Sequence, residues 1–251
     1  MKNFVTMGSE SFILSDLFNA AFFELDFLST ELIKFSDSGI DLKYLEIENP
    51  RMYSRRTLHI LTFLKKIGLE KLIKGFSPER IGIYCCSYTY LIPLEVIEAR
   101  QVSKLSISKS VRLNCSPNFG LIHSGGILPS HISIKYKFKG PTNFFIEGAT
   151  SQIGAAKAYQ KAAFDLKLNK VDLAIVVCAN IFDGPMHVSN HLKRIKSSGV
   201  SLREAISCSL LDASTDFSCL PVNANQARGL NEDLGIVQTL NLKSSVWETV
   251  L

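Results

Sequence analysis

The chain has 251 residues, 46% of them hydrophobic, a mean hydropathy of +0.15 and a formal net charge of +5. That is material for one large domain or two small ones, on the apolar side of soluble proteins, and it calls for a deep core or a surface covered by a partner. The cations are scattered over Arg51, Arg55, Arg56, Lys65, Lys66, Lys71, Lys135, Lys137, Lys139, Lys193, Arg194 and Lys196 rather than massed in one tract, so the reading is a solvated surface and not a nucleic-acid partner.

The first apolar stretch, SESFILSDLFNAAFFELDFLST, is broken by Glu10, Asp16, Glu24 and Asp26. A secretory signal needs a basic start and an unbroken apolar run, and a membrane span needs about 20 apolar residues with few charges. Neither pattern is met, and the chain reads as cytoplasmic with no membrane contact. A helix follows Arg51, where Ile60, Phe63, Leu64 and Ile67 recur at helical spacing before Gly75 and Pro78. Arg80 to Ser87 (RIGIYCCS) is a short apolar run between turn residues, the mark of a buried strand. Leu91 to Val102 predicts a helix starting near Pro93. Asn114 to Gly126, rich in Ser, Pro, Asn and Gly, predicts a loop or a broken helix, and His131 to Phe138 a helix or strand closing before Gly140-Pro141.

Asn143 to Glu147 predicts a buried strand, followed by a sharp small-residue turn (Gly148, Ala149, Thr150) and then a helix. That helix sets Ala155, Ala158, Tyr159, Ala162 and Leu166 on one stripe, with Lys157 and Lys161 opposite, so neighbouring elements can approach it closely. Val171 to Asn180 (VDLAIVVCAN) is the clearest strand, apolar on both faces, which implies a parallel sheet covered on each side by helices. A helix over Val188 to Lys196 and an amphipathic or strand segment through Leu211 come next. Turn chemistry then surrounds one apolar stretch, Leu234 to Leu240. Alternating strands and helices give an α/β class.

Six cysteines (Cys85, Cys86, Cys115, Cys178, Cys208, Cys219) lack C-x-x-C spacing and lack histidines at metal-ligand distance, so they read as reduced, buried small hydrophobes and no metal site is expected. Asp183-Gly184-Pro185 reads as a turn. The strand-to-helix turn at Ala149 has the setting of a nucleophile: unpaired N–H groups at a helix start favour negative charge and lower a thiol's pKa. Alanine can do none of that chemistry.

In this order, Asn114 to Asn180 resembles the N-terminal half of the β-ketoacyl synthases. The resemblance is carried by Ser116-Pro117 ahead of a small-residue stretch and His131, by the interval from His131 to Gly140-Pro141, by the strand leading into the nucleophile turn, and by the apolar strand ending in Ala179-Asn180. The run PRMYSRR (Pro50 to Arg56), opening a helix, is similar as well, and the likeness covers roughly residues 50 to 215. It implies an α/β fold of the thiolase-like type, mainly its N-terminal half with a reduced C-terminal part, in a single domain over 1–251. Ketosynthases carry a Cys where Ala149 stands and two histidines in His-Gly-Thr and Asn-x-Gly-His contexts. His59, His123, His131, His187 and His191 stand in neither context.

A ketosynthase-like chain without its nucleophile is similar to the chain-length factors of type II polyketide synthases, and a short form to those of aryl-polyene and aromatic pathways. Those subunits commonly carry Gln at the cysteine's place, whereas here Gln152 lies three residues on. The resemblance implies no catalytic residue and no cofactor. It implies a catalytic ketosynthase subunit and an acyl carrier protein as partners, the carrier-bound substrates being handled through the ketosynthase. It places Thr142, Asn143, Phe144, Phe145, Ile146 and Glu147 at the subunit interface, with Phe144 and Ile146 on one face and Phe145 on the other. It places Pro117, Phe119, Leu121, Ile122, Ile127 and Leu128 either in an acyl-pocket wall or in the core. His131 is expected to be structural and Glu147 to be paired with a partner. Two other functions stay open at this point: an acyltransferase or thiolase-like enzyme with a displaced nucleophile such as Cys178 or Cys115, and a degenerate scaffold.

Overall fold

A computed structural model of the chain describes residues 2–17, 28–87, 126–146, 153–182, 202–215 and 247–249. The described strands are β1 (Lys2–Met7), β2 (Glu10–Ile13), β3 (Glu31–Lys34), β4 (Ile81–Ser87), β5 (Thr142–Ile146), β6 (Leu173–Asn180), β7 (Leu202–Arg203), β8 (Ala205–Asp212) and β9 (Trp247–Thr249). The described α-helices are α1 (Leu14–Leu17), α2 (Arg55–Lys66), α3 (Leu69–Leu72), α4 (Ile127–Tyr136) and α5 (Ile153–Lys167). The helix expected over Leu91 to Val102, the loop over 114–125, the helix over Val188 to Lys196 and the apolar stretch Leu234 to Leu240 lie outside the described residues.

Six strands form one sheet in the order β5-β4-β6-β8-β1-β9, and β2-β3-β7 form a small second sheet. β4 and β6 are buried along their whole length, and both read in the sequence as uninterrupted apolar runs. β5, β4 and β6 run parallel, but β8 is antiparallel to both β6 and β1. The sheet is therefore mixed and not purely parallel. The chain returns from the small sheet through β7 and enters β8 with Ala205 opposite Asn180, at the carboxyl end of β6, so β8 can only run back along it.

Successive residues of each strand feed different cores. Ile83 and Cys85 of β4, Ile175 and Val177 of β6, and Ile206, Cys208 and Leu210 of β8 pack with Ile60, Phe63 and Leu64 of α2 and Leu128 and Ile132 of α4. Tyr84, Cys86, Ala174, Val176, Cys178 and Leu211 pack with Ala155, Ala158, Tyr159, Ala162 and Leu166 of α5. The sequence stripe on α5 is thus the face that meets the sheet. Its small side chains let Tyr159 sit flat enough for its hydroxyl to reach Ser209 Oγ at 2.7 Å, which in turn donates to Asn3 Oδ1 at 2.7 Å.

α2 starts where its cap is. Ser54 has extended backbone and its hydroxyl accepts from the Thr57 amide at 3.2 Å. The helix ends on Lys65 and Lys66, which suit the negative C-terminal end, and Gly68 turns the chain in the left-handed region at φ 68°.

Candidate functional site

The strand that precedes Gly148-Ala149-Thr150 in the sequence is at the margin of the described sheet. β5 pairs only with β4, in parallel register from Ile83 opposite Thr142 to Ser87 opposite Ile146, and no other described strand lies along its far side. The sequence predicted a buried strand here; the structure corrects this to a half-buried edge, since Thr142 and Ile146 are exposed, Ile146 at 63%. The apolar run misled because its two central aromatics do bury area, one on each face. Phe144 packs against the α2–α4 core and Phe145 against the α5 core, on opposite faces as the period of two requires.

The Gly140-Pro141 pair fixes where β5 enters. The amides of Lys139 and Gly140 donate to the Pro78 carbonyl at 2.9 and 3.2 Å, and the Ile83 amide donates to the Pro141 carbonyl at 2.9 Å. A Cβ on Gly140 would stand 2.3 Å from the Ile81 carbonyl oxygen, so only glycine permits this approach. Arg80, at the start of β4, holds the neighbouring corner. Its guanidinium donates to both carboxylate oxygens of Asp172 and to the carbonyl and side chain of Asn169.

Beyond Ile146 the chain reaches α5 through residues 147–152, so Glu147, Gly148, Ala149, Thr150 and Gln152 lie outside the described residues, as do Pro117, Phe119, Leu121 and Ile122. Of the expected pocket-wall residues, Leu128 is sealed in the core of α4 and Ile127 is half-buried at the first turn of that helix. Cys178 is fully buried mid-strand between β4 and β8 and faces the α5 alanines. A thiol there meets neither solvent nor a substrate, as a nucleophile must. Burial also pushes the thiols of Cys85 and Cys208 well above their usual range. Cys115 and Cys219 lie outside the described residues.

His131, on α4, is buried against the ring of Tyr53 at 4.4 Å between centroids, and burial lowers its pKa, so it is held as neutral imidazole. Its Nδ1 has no hydrogen-bond partner among the described residues. The expected structural role fits that placement. No group of three metal-ligating side chains occurs among the described residues.

One cluster was not singled out from the sequence. Glu204, fully buried between β7 and β8, accepts from Arg55 Nη1 at 2.7 Å and Nη2 at 3.0 Å, and from the amides of Phe35 and Phe182 at 2.8 Å each. Arg55 also donates to the Phe35 carbonyl and to Asp37, and His59 contacts the same Asp37 oxygen at 2.8 Å. This cluster saturates a buried carboxylate and ties the small sheet, α2 and the carboxyl end of β6 together; the run PRMYSRR supplies its arginine. Beside it lies a cavity of about 150 Å³ lined by His59, Thr62, Phe63 and Lys66 of α2 and by Thr6 and Met7 of β1. It sits on the β1 side of the sheet, three strands beyond β4, and is no part of the β5 margin.

No family model matches the sequence, and no curated protein matches it. Solved structures do match the fold. A type II polyketide synthase acyl-carrier protein in complex with its ketosynthase is similar at 17% identity and a TM-score of 0.54, over 72% of this chain and 53% of that one. The ishigamide ketosynthase/chain length factor is similar at 13% identity and a TM-score of 0.50, over 78% and 53%. A β-ketoacyl synthase from Burkholderia phymatum is similar at 14% identity and a TM-score of 0.51, over 84% and 52%. The chain spans about half the length of these solved chains. At such identities the likeness speaks for architecture alone: the described sheet and its two helical layers have the thiolase-like fold of the ketosynthases.

Proposed function

We propose that this chain is a non-catalytic chain-length factor. It pairs with a catalytic ketosynthase in a type II polyketide synthase, completes the acyl tunnel and limits chain length on substrates held by an acyl carrier protein. The observation that carries the reading is the β5 margin: an apolar strand, unpaired on one side among the described residues, precedes in sequence Gly148-Ala149-Thr150, where the resemblance sets Ala149 in the nucleophile's place. An unpaired edge of that composition invites another strand, which would satisfy its free amides and carbonyls and cover Ile146. The fold neighbours support a ketosynthase as the protein that offers such a strand. The alternative of a displaced nucleophile has nothing in its favour at Cys178, which the sheet encloses. The segment containing Pro117, Phe119, Leu121 and Ile122 is assigned to the pocket wall by the resemblance and is part of the proposal.

The test is co-expression with complete ketosynthases followed by sizing of the purified complex. Phe145→Pro removes a ladder donor and fixes the backbone of β5, and it is expected to abolish co-purification. A Phe145→Pro variant recovered with the ketosynthase at wild-type yield would show that β5 is not the pairing edge.

A further inference from the structure

The cavity beside the Glu204 cluster is used neither by the β5 margin nor by the buried carboxylate. Its volume of about 150 Å³ suits one six-membered ring, since an apolar cavity of about that size takes up benzene. Phe63 and Ile206, both buried, form its floor, while Met7, 40% exposed, and Gly39, also exposed, stand on its solvent side. Phe35 adds a second aromatic wall, with its ring centroid 5.3 Å from that of His59. Thr6 and Ser9 line the same space, so it is not purely apolar.

His59 is the polar group built into this wall. Its side chain is 6% exposed, and its Nε2 lies 2.8 Å from Asp37 Oδ1. Against burial, which would raise it, the His59 hydrogen bond and the Arg55 charge hold the Asp37 carboxyl below its ordinary pKa. Asp37 is therefore the acceptor, and Nε2 carries the ring proton. Burial and then the Arg55 charge lower the pKa of His59, so the ring is neutral and Nδ1 is a bare acceptor. Nδ1 has no hydrogen-bond partner among the described residues, yet it is not closed off from solvent. The cavity thus offers a ring-sized apolar space with one acceptor in its wall. A carboxylate could not donate to that nitrogen and would bring its charge toward Asp37, and a cation would be brought toward Arg55. A neutral guest with one hydroxyl donor meets neither cost.

We propose that this cavity binds a small phenol, with the ring between Phe35 and Phe63 and the hydroxyl donating to His59 Nδ1. The site is separate from the β5 margin and does not depend on which protein covers that edge. Asp37 is shared by His59 and Arg55, and Arg55 holds Glu204. An occupied cavity therefore steadies the joint between the small sheet, α2 and the carboxyl end of β6, and binding to the folded chain alone raises its unfolding temperature.

The test uses the full chain, purified with its ketosynthase or, if it stands alone, by itself, with carbon-13 in the methyl groups of its methionines. The Met7 signal is assigned with Met7→Leu, and the chain is titrated with phenol, toluene and benzoate. Phenol should move the Met7 methyl signal saturably and raise the unfolding temperature. Toluene has the ring without the donor and should bind at least about fivefold more weakly, and benzoate should bind more weakly than phenol. His59→Phe keeps a ring in the wall and removes the acceptor, so phenol and toluene should then bind alike. A Cβ on Gly39 meets nothing within 4 Å, and its backbone is not left-handed, so Gly39→Leu can be accommodated and extends a side chain from the cavity wall. That variant should weaken phenol binding about tenfold or more. An unmoved Met7 signal, equal binding of phenol and toluene by the unaltered chain, or binding that Gly39→Leu leaves intact would overturn the proposal. So would tighter binding of benzoate than of phenol, which would make the cavity an anion site beside Lys66.

Discussion

At the scale of single residues, Ala149 and Glu204 invite opposite tests. Ala149→Cys is expected to restore a thiol but no condensing activity, because a nucleophile also needs a base or an oriented proton path and the ketosynthase histidine contexts are missing from the sequence. Turnover of carrier-bound substrate by the isolated variant would contradict this. Glu204 works the other way: its four accepted hydrogen bonds join segments that are otherwise far apart in the chain. Glu204→Gln puts an amide nitrogen against a ring of donors and leaves Arg55 only the exposed Asp37 as a counter-charge. Removing one member of such a buried pair costs about 3–5 kcal/mol. Denaturant unfolding should register that loss, and a change under about 1 kcal/mol would mean that water already reaches the cluster. Nothing in the sequence marks Glu204, a lone acid between a two-residue strand and a longer one whose arginine partner is 149 residues away. Ser54 and Arg55 were legible as part of a motif, but not as the cap and the bridge they turn out to be.

At the scale of elements, legibility followed the length and evenness of the apolar pattern. β4, β6 and the α5 stripe were read where they stand, because long uninterrupted or strictly periodic runs have one structural solution. β8 alternates Ile206, Cys208 and Leu210 with Ser207 and Ser209, and that alternation reads as a strand only once the serines are seen facing α5. The small sheet was not legible: β2, β3 and β7 are four residues or fewer and draw their stability from one another across the chain. β9, of three residues, pairs with β1 and with no other strand among the described residues. β5 was placed correctly but assigned the wrong surroundings, since no local pattern says which side of a strand has a neighbour. Its entry point offers a test. Gly140→Ala drives a methyl into the Ile81 carbonyl, and backbone cannot yield as a flexible side chain would. A destabilisation of about 1–3 kcal/mol is expected, with loss of protection of the β4–β5 amides in hydrogen exchange. Wild-type protection would show that the corner moves freely.

At the scale of the whole molecule, the described sheet ends at β5, where Ile146 faces water. The protein is expected to be poorly soluble when expressed by itself and to be rescued by a strand-offering partner, as obligate interfaces of roughly 2,000–5,000 Å² in total require. A well-behaved monomer that unfolds cooperatively in the absence of any partner would count against both the edge and the pairing. Among the described residues no helix is long and apolar enough to cross a membrane.

The pairing of β1 with β8 also sets an order in time. Lys2 lies opposite Leu210 and Met7 opposite Ala205, so β1 finds this neighbour only among residues made about 200 positions later. At 5–20 residues per second a ribosome needs roughly 10–40 s to deliver it. During that interval Phe4 and Val5, which end up buried, have no β8 to cover them. β4 can meanwhile pair with β5 and then β6 in the order of synthesis. The sheet therefore assembles from its parallel limb outward, and β1, made before the other strands of that sheet, is among the last of them to be locked in place.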